Sequence, residues 1–280
     1  MKLVRYGSAG DEKPGIVAGD GSIRDLSAHL ADLRDGALHP DRLVTLRGLD
    51  VATLPRVPAG TRLGPCVAPT GKIVAVGLNY ADHARETGMA PPVEPVLFMK
   101  ACRLSGPDDA IIIAPGSTRT DWEIELAVVI GREAFALSEA YALDHVAGYA
   151  GFVDVSERSW QLERGGQWVK GKSYPSFAPI GPWLVTPDEV ADPQRLRLWL
   201  DVNGVRRQDS STAEMVFGVA KLVSYISGFM ALYPGDVIAT GTPPGVGMGL
   251  KPAPVYLRHG NVVRGGVEGL GEQQHRCQGG

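Results

Sequence analysis

A mostly β fold of the α+β type is what the sequence predicts, and three observations predict it. Glycine and proline are abundant, 36 and 21 of 280 residues, with no collagen-like period, so the chain must turn often. Short apolar runs recur between those turns, at 73–76, 123–130, 145–155 and 236–239. One longer stretch carries its apolar residues at helical spacing: Met215, Val219, Leu222, Val223, Ile226 and Phe229.

In chain order, 15–18 and 22–26 flank Asp20-Gly21, a hairpin turn. Residues 55–70 hold Pro55, Pro58, Pro65 and Pro69 with Gly60 and Gly64, and read as a linker. The expected organisation is therefore a small N-terminal β-containing domain with its linker at 1–70 and a catalytic domain at 71–280. The run 73–76 is a strand ending at Gly77. Residues 80–87 read as one or two helical turns, with Asn79 as N-cap and Gly88 as stop. The runs 123–130 and 145–155 read as buried strands. Leu196, Leu198, Leu200 and Val202 alternate with other residues and lead into Asn203-Gly204, a second hairpin turn. Ser211-x-x-Glu214 is a capping box, expected to open the helix that Pro234-Gly235 ends. Residues 236–239 form a strand, and 271–280 read as a frayed tail.

Composition narrows the function. Hydrophobic residues are 44% and charged residues 21%, as in ordinary globular chains, and the net charge is −3. No basic field exists to hold a phosphate backbone, so nucleic acid is not an expected partner. No apolar run approaches 18 residues, so no membrane-spanning helix is expected, and residues 1–6 do not read as a signal peptide. Cys66, Cys102 and Cys277 are scattered without C-x-x-C spacing, which argues against a disulfide framework or a thiolate zinc site and points to a reducing cytoplasm.

The chemistry begins at Asp121-Trp122-Glu123-Ile124-Glu125-Leu126. On a strand, residues two apart share a face, so Glu123 and Glu125 project together from an apolar segment. Buried like charges repel, and a hard divalent cation relieves that. E-x-E alone fits a solvated strand face better. Asp154, at the end of the apolar 151–155 run, is the third acidic residue that tips the balance toward a metal site. His83 and Glu86, one helical turn apart, pair an imidazole with a carboxylate and so could activate a water, although a plain surface contact explains the pair alone better. Lys172 is either a solvated loop charge or a cation set against carboxylates or an enolate. The loop at 241–247 lacks a P-loop lysine. It reads as a surface turn or as a site where Thr242 and backbone N–H groups receive a carboxylate.

Taken together, Gly77-Leu78-Asn79-Tyr80-Ala81-Asp82-His83, Leu97-Phe98-Met99-Lys100, Asp121-Trp122-Glu123-Ile124-Glu125-Leu126 and the 234–243 segment resemble the fumarylacetoacetate hydrolase family, in family order over roughly 72–271. The N-terminal unit and the stretches 161–168 and 215–251 resemble a bacterial subgroup of 2,4-diketo-3-deoxy sugar acid hydrolases, whose members are often labelled ureidoglycolate lyase. The resemblance implies a β-sandwich roll and a homodimer or higher oligomer. It also implies a divalent ion, Mg²⁺ first with Mn²⁺ or Ca²⁺ as alternatives, on Glu123, Glu125 and Asp154. It makes His83 and Glu86 a water-activating dyad and Lys172 the active-site lysine, and it places Arg158, Gln161 and Thr242 at the substrate. Two positions depart from the family pattern: Val153 stands where Asn precedes the metal-binding Asp, and Pro175 where Asp follows Lys172. The implied reaction is hydrolytic C–C cleavage of a 2,4-diketo acid to release pyruvate. The alternatives are 2-oxo acid decarboxylation or tautomerisation, or ureidoglycolate lysis, on the same metal. A further alternative is a catalytically weak, metabolite-binding member.

Overall fold

The computed structural model describes residues 1–68, 71–82 and 91–279. Its strands in chain order are β1 Lys2–Tyr6, β2 Lys13–Val17, β3 Ile23–Asp25, β4 Ile73–Gly77, β5 Val96–Met99, β6 Ile111–Ile113, β7 Thr120–Asp121 and β8 Ile124–Ile130. Then follow β9 Val146–Val153, β10 Ser156–Glu157, β11 Ile180–Val185, β12 Arg197–Val202, β13 Val205–Ser211, β14 Val237–Ala239, β15 Val262–Val267 and β16 Gly271–Gly279.

A nine-stranded sheet in the order β3-β2-β1-β11-β9-β8-β14-β4-β5 runs through the molecule, and a five-stranded sheet, β13-β12-β15-β16-β6, packs near it. The N-terminal strands continue the large sheet through antiparallel pairing of β1 with β11. Alternation along the strands separates two cores. Val74, Val76, Ile124, Leu126, Val128 and Ile130 face the second sheet, with Leu198, Leu200 and Val263, and the helix Val219–Ser227. Ile73, Ala75, Ala127 and Val129 face the N-terminal side, with Leu26, Leu33, Leu38, Leu43 and Leu46. With both faces covered, β8 is apolar at nearly every position instead of alternating. The fold is mostly β, as the sequence predicts. Both hairpins are present: Asp20-Gly21 lies between β2 and β3, and Asn203-Gly204, with φ of 51° and 76°, joins β12 to β13 in the left-handed conformation such a turn needs.

Three local expectations are corrected. Ser211 does act as a cap, its Oγ accepting from Ala213 N–H at 3.2 Å, but it opens only a 3₁₀ turn, Thr212–Glu214. The chain then extends because Asn79 captures it: Val216 N–H donates to Asn79 O, and Phe217 N–H donates to Asn79 Oδ1 at 2.9 Å. Asn79, expected to cap a helix, therefore ties two distant segments. The apolar helix starts at Val219 and stops at Gly228, leaving Phe229 outside it and exposed.

The expected frayed tail is strand β16, paired with β15 and, in parallel, with β6. Its inward residues are Gln273, His275 and Cys277. Two polar side chains at inward positions hide the alternation from a hydrophobic reading. They are hydrogen-bonded: Gln273 Nε2 donates to Gly181 O at 3.1 Å, and the His275 ring lies 2.7 Å from Asp109 O and 3.0 Å from Gln273 Oε1. Cys66, Cys102 and Cys277 are free thiols. No described helix is long and apolar enough to cross a membrane.

Candidate active site

The site forms where β8 and β9 begin to separate. Their antiparallel register pairs Ile124 with Val153 and Glu125 with Phe152. Glu123 and Asp154 stand one residue beyond Ile124 and Val153, and the backbone joins them: Asp154 N–H donates to Glu123 O at 2.8 Å. Glu123, Glu125 and Asp154 are all buried, each offering an oxygen within 4.8 Å of the others.

Basic side chains converge on these carboxylates. Lys172, in the short helix Val169–Lys172, donates from Nζ to Glu123 Oε2 at 2.7 Å and to Asp154 Oδ2 at 2.8 Å. Arg158, opening the helix Arg158–Leu162, donates from Nε to Asp121 Oδ2 at 2.8 Å. Its Nη2 lies 2.7 Å from Glu123 Oε1, and its Nη1 donates to Gln161 Oε1 at 3.0 Å. Lys100, just past β5, pairs with Asp154 Oδ1 and donates to Val155 O at 3.2 Å. In this connected cluster, among the described residues, four carboxylates meet three cations.

The electrostatics separate the members. Burial pushes Glu123 up, but Lys172 and Arg158 outweigh it and hold that carboxyl below its ordinary range. Glu125 goes the other way: burial first, then Asp154 and Glu123, raise it well above the usual carboxylate value. Burial lowers Lys172, yet Asp154 and Glu123 overcome that and raise it. A buried carboxyl pressed against two others is what a divalent cation relieves, and an oxygen-only donor set favours a hard ion such as Mg²⁺, Mn²⁺ or Ca²⁺. The residues thus fit a metal, held by Glu123, Glu125 and Asp154 in company with Lys172.

The surrounding segments fix this geometry. Glu125 Oε2 accepts from Gly241 N–H at 2.8 Å. Gly241 has φ +97°, and a Cβ there would meet Asn79 Cβ at 2.9 Å and Val76 O at 3.0 Å, so only glycine brings that N–H close. From the second sheet, Gln208 accepts from Ile124 N–H through Oε1 and donates through Nε2 to Thr242 Oγ1 and Pro243 O, each at 2.9 Å. Asp121 accepts from Gly247 N–H at 2.7 Å and Met248 N–H at 3.0 Å, so one carboxylate holds both the 247–248 loop and Arg158.

A cavity of about 230 Å³ opens over the cluster, lined by Glu123, Glu125, Arg158, Gln161, Lys172 and Thr242 on its polar side. Beside them Trp168 packs its ring edge-on to Phe98, centroids 5.4 Å apart, and lies so close to Gly77 that a Cβ there would come within 2.5 Å of the indole. Lys172 Nζ sits 5.0 Å from the centre of the Phe98 ring.

Of the residues singled out from sequence, Glu123, Glu125, Asp154, Lys172, Arg158, Gln161 and Thr242 come together here. His83 and Glu86 lie outside the described residues. Thr242 donates its hydroxyl proton to Ile124 O at 2.8 Å, so a ligand carboxylate reaching that hydroxyl has to displace this contact. Val153 is fully buried in the apolar core, and Lys172 is oriented by Glu123 and Asp154 with Pro175 beside it in the chain. Sequence reasoning assigned no role to Lys100, Asp121 or Gln208. A lysine closing the Leu97-Phe98-Met99 strand and an aspartate before Trp122 were the available signals; Gln208, in a polar exposed-looking strand, offered none.

The fumarylacetoacetate (FAA) hydrolase C-terminal family model matches residues 72–278. A Burkholderia multivorans protein named only as a hydrolase is 60% identical over 274 residues, covering 98% of this chain and 97% of that one. Among solved structures, fumarylacetoacetate hydrolase from Exiguobacterium antarcticum is 36% identical with a TM-score of 0.85, over 100% of both chains. Maleylpyruvate hydrolase from Sphingobium sp. SYK-6, in complex with manganese(II) and pyruvate, is 32% identical with a TM-score of 0.80, again over 100% of both.

Proposed function

The chain belongs to the fumarylacetoacetate hydrolase family, and from that premise we propose that it is a divalent-metal-dependent hydrolase of a 2,4-diketo acid, releasing pyruvate and a carboxylic acid. The observation that carries this reading is the buried Glu123, Glu125 and Asp154 triad with Lys172 bridging two of its members. A family relative with manganese and pyruvate bound supports it. When bound, Mg²⁺ or Mn²⁺ on these carboxylates would supply Lewis-acid polarisation of the 2-oxo acid.

The chain's own residues supply the remainder. Lys172 faces the cavity with a raised proton affinity, so it stays cationic and offsets the negative charge of the leaving enolate. Arg158 and Gln161 orient the 2-oxo acid end. His83, oriented by Glu86, takes a proton from the attacking water, whose hydroxyl adds to the far carbonyl. The C3–C4 bond then breaks with its electron pair passing to the pyruvate fragment, which is protonated at C3.

Pyruvate release from a panel of 2,4-diketo acids tests this. Activity is expected to vanish in excess chelator and return with Mn²⁺ or Mg²⁺. His83→Ala is expected to lose about 10²–10⁴-fold in kcat while retaining metal. Chelator-resistant hydrolysis overturns the reading, and decarboxylation of oxaloacetate unaffected by His83→Ala would favour the decarboxylase alternative.

A further inference from the structure

We propose that the acyl end of the substrate is apolar, so that the protein selects 2,4-diketo acids with an aliphatic or aromatic acyl group over those ending in a second carboxylate or carrying several hydroxyls. The inference rests on the reading that a 2-oxo acid end sits at the acidic triad.

The cavity divides chemically. Most of its polar lining is one hydrogen-bonded cluster, Glu123 to Arg158 and Lys172 and Arg158 to Gln161, with Glu125 and Thr242 beside it. The remaining wall is largely Leu78, Phe98, Leu162, Trp168, Val246 and Met248. Phe98 marks the junction, with Lys172 Nζ above its ring and Trp168 against its edge. Leu162 follows Gln161 on one short helix, and Met248 is held in place through its backbone N–H on Asp121. A molecule with its oxo acid end at the carboxylates lays its other end on this wall.

Both cations among the described lining residues, Arg158 and Lys172, already serve Asp121, Glu123 and Asp154. A second carboxylate laid on this wall loses its water and, among the described lining residues, meets no cation beyond Arg158 and Lys172, a heavy penalty. A hydrocarbon chain gains on the same surface, by roughly three- to fourfold in affinity per buried methylene.

The test uses the Mn²⁺-loaded full chain and two readouts. The first is kcat/KM for acylpyruvates with acetyl, butanoyl, hexanoyl and benzoyl groups, beside one of matched length ending in a carboxylate. The second is Kd by calorimetry for 2-oxohexanoate and 2-oxoadipate, which need no hydrolysis. The expected result is a rise with chain length and a preference of about tenfold or more for the uncharged end in both readouts. Equal or better binding of 2-oxoadipate overturns the inference. Binding selectivity without turnover of any diketo acid supports the apolar wall while overturning the hydrolase reading. Leu162→Arg, at a half-exposed position, is expected to shift the Kd ratio toward 2-oxoadipate. An unchanged ratio in that variant overturns the placement of Leu162 along the acyl end.

Discussion

Two buried polar clusters in this molecule have opposite characters. Under β16, Gln273 and His275 sit in the sheet and satisfy one another, Gly181 O and Asp109 O. Burial there pushes His275 down to about 4, so the imidazole is neutral at physiological pH. Around the start of β8, burial is just as complete, but its carboxyls are driven apart. Glu123 stays ionised because Lys172 and Arg158 outweigh its desolvation, while Glu125 is driven in the opposite direction by its acidic neighbours. The first cluster sheds its charge; the second gathers more carboxylates than cations among the described residues, a donor set that could hold a metal ion.

The sharpest way to break this contrast is at Glu125. Glu125→Gln retains an acceptor for Gly241 N–H but removes the charge, and is expected to lower pyruvate-releasing activity by about 10²–10³-fold. Its melting temperature without metal is expected to rise. The folded carboxyl titrates above its unfolded value, so its ionisation costs stability increasingly as pH climbs through that interval. A fall in metal-free stability would show that Glu125 belongs with the structural cluster.

The second test runs on pH. His275 titrates near 4 in the fold and near 6.5 when unfolded, so the unfolded chain binds the extra proton in between. Its contribution is complete above pH 6.5 and is lost as pH falls toward 4. Comparing unfolding free energies at pH 7 and pH 4, His275→Gln is expected to lose less than the parent, by on the order of 3 kcal/mol. A smaller change follows from Gln273→Leu, which strands Gly181 O and one His275 nitrogen. Denaturant unfolding is expected to show a loss of about 1–3 kcal/mol, with kcat of the folded protein unchanged. Arg264→Ala, removing an exposed partner of Glu272 on the outer side of the same strand pair, is expected to stay within about 1 kcal/mol.

The same contrast explains what the amino-acid sequence revealed. Strands built on apolar runs, such as 73–76 and 123–130, were readable because both their faces are covered. Glu123, Glu125 and Asp154 were readable because acids interrupting such runs violate the pattern. Strand β16 was not, since Gln273 and His275 fill core positions with polar groups whose partners, Asp109 and Gly181, lie far along the chain. The start of the long helix was misplaced for a related reason. Ser211 carries a genuine cap signal, but Asn79, more than a hundred residues away, decides where the chain extends. Long-range polar contacts have no local periodicity to betray them.

Gly77 sets the thickness of the cavity wall. Its missing side chain lets the indole of Trp168 rest directly against β4, with room for nothing larger than hydrogen between them. Replacing that hydrogen by a methyl group forces the indole to shift, so on the proposed apolar-acyl reading a single codon governs how long a tail fits. Gly77→Ala is expected to trim the accepted chain by a carbon or more without touching any charged group.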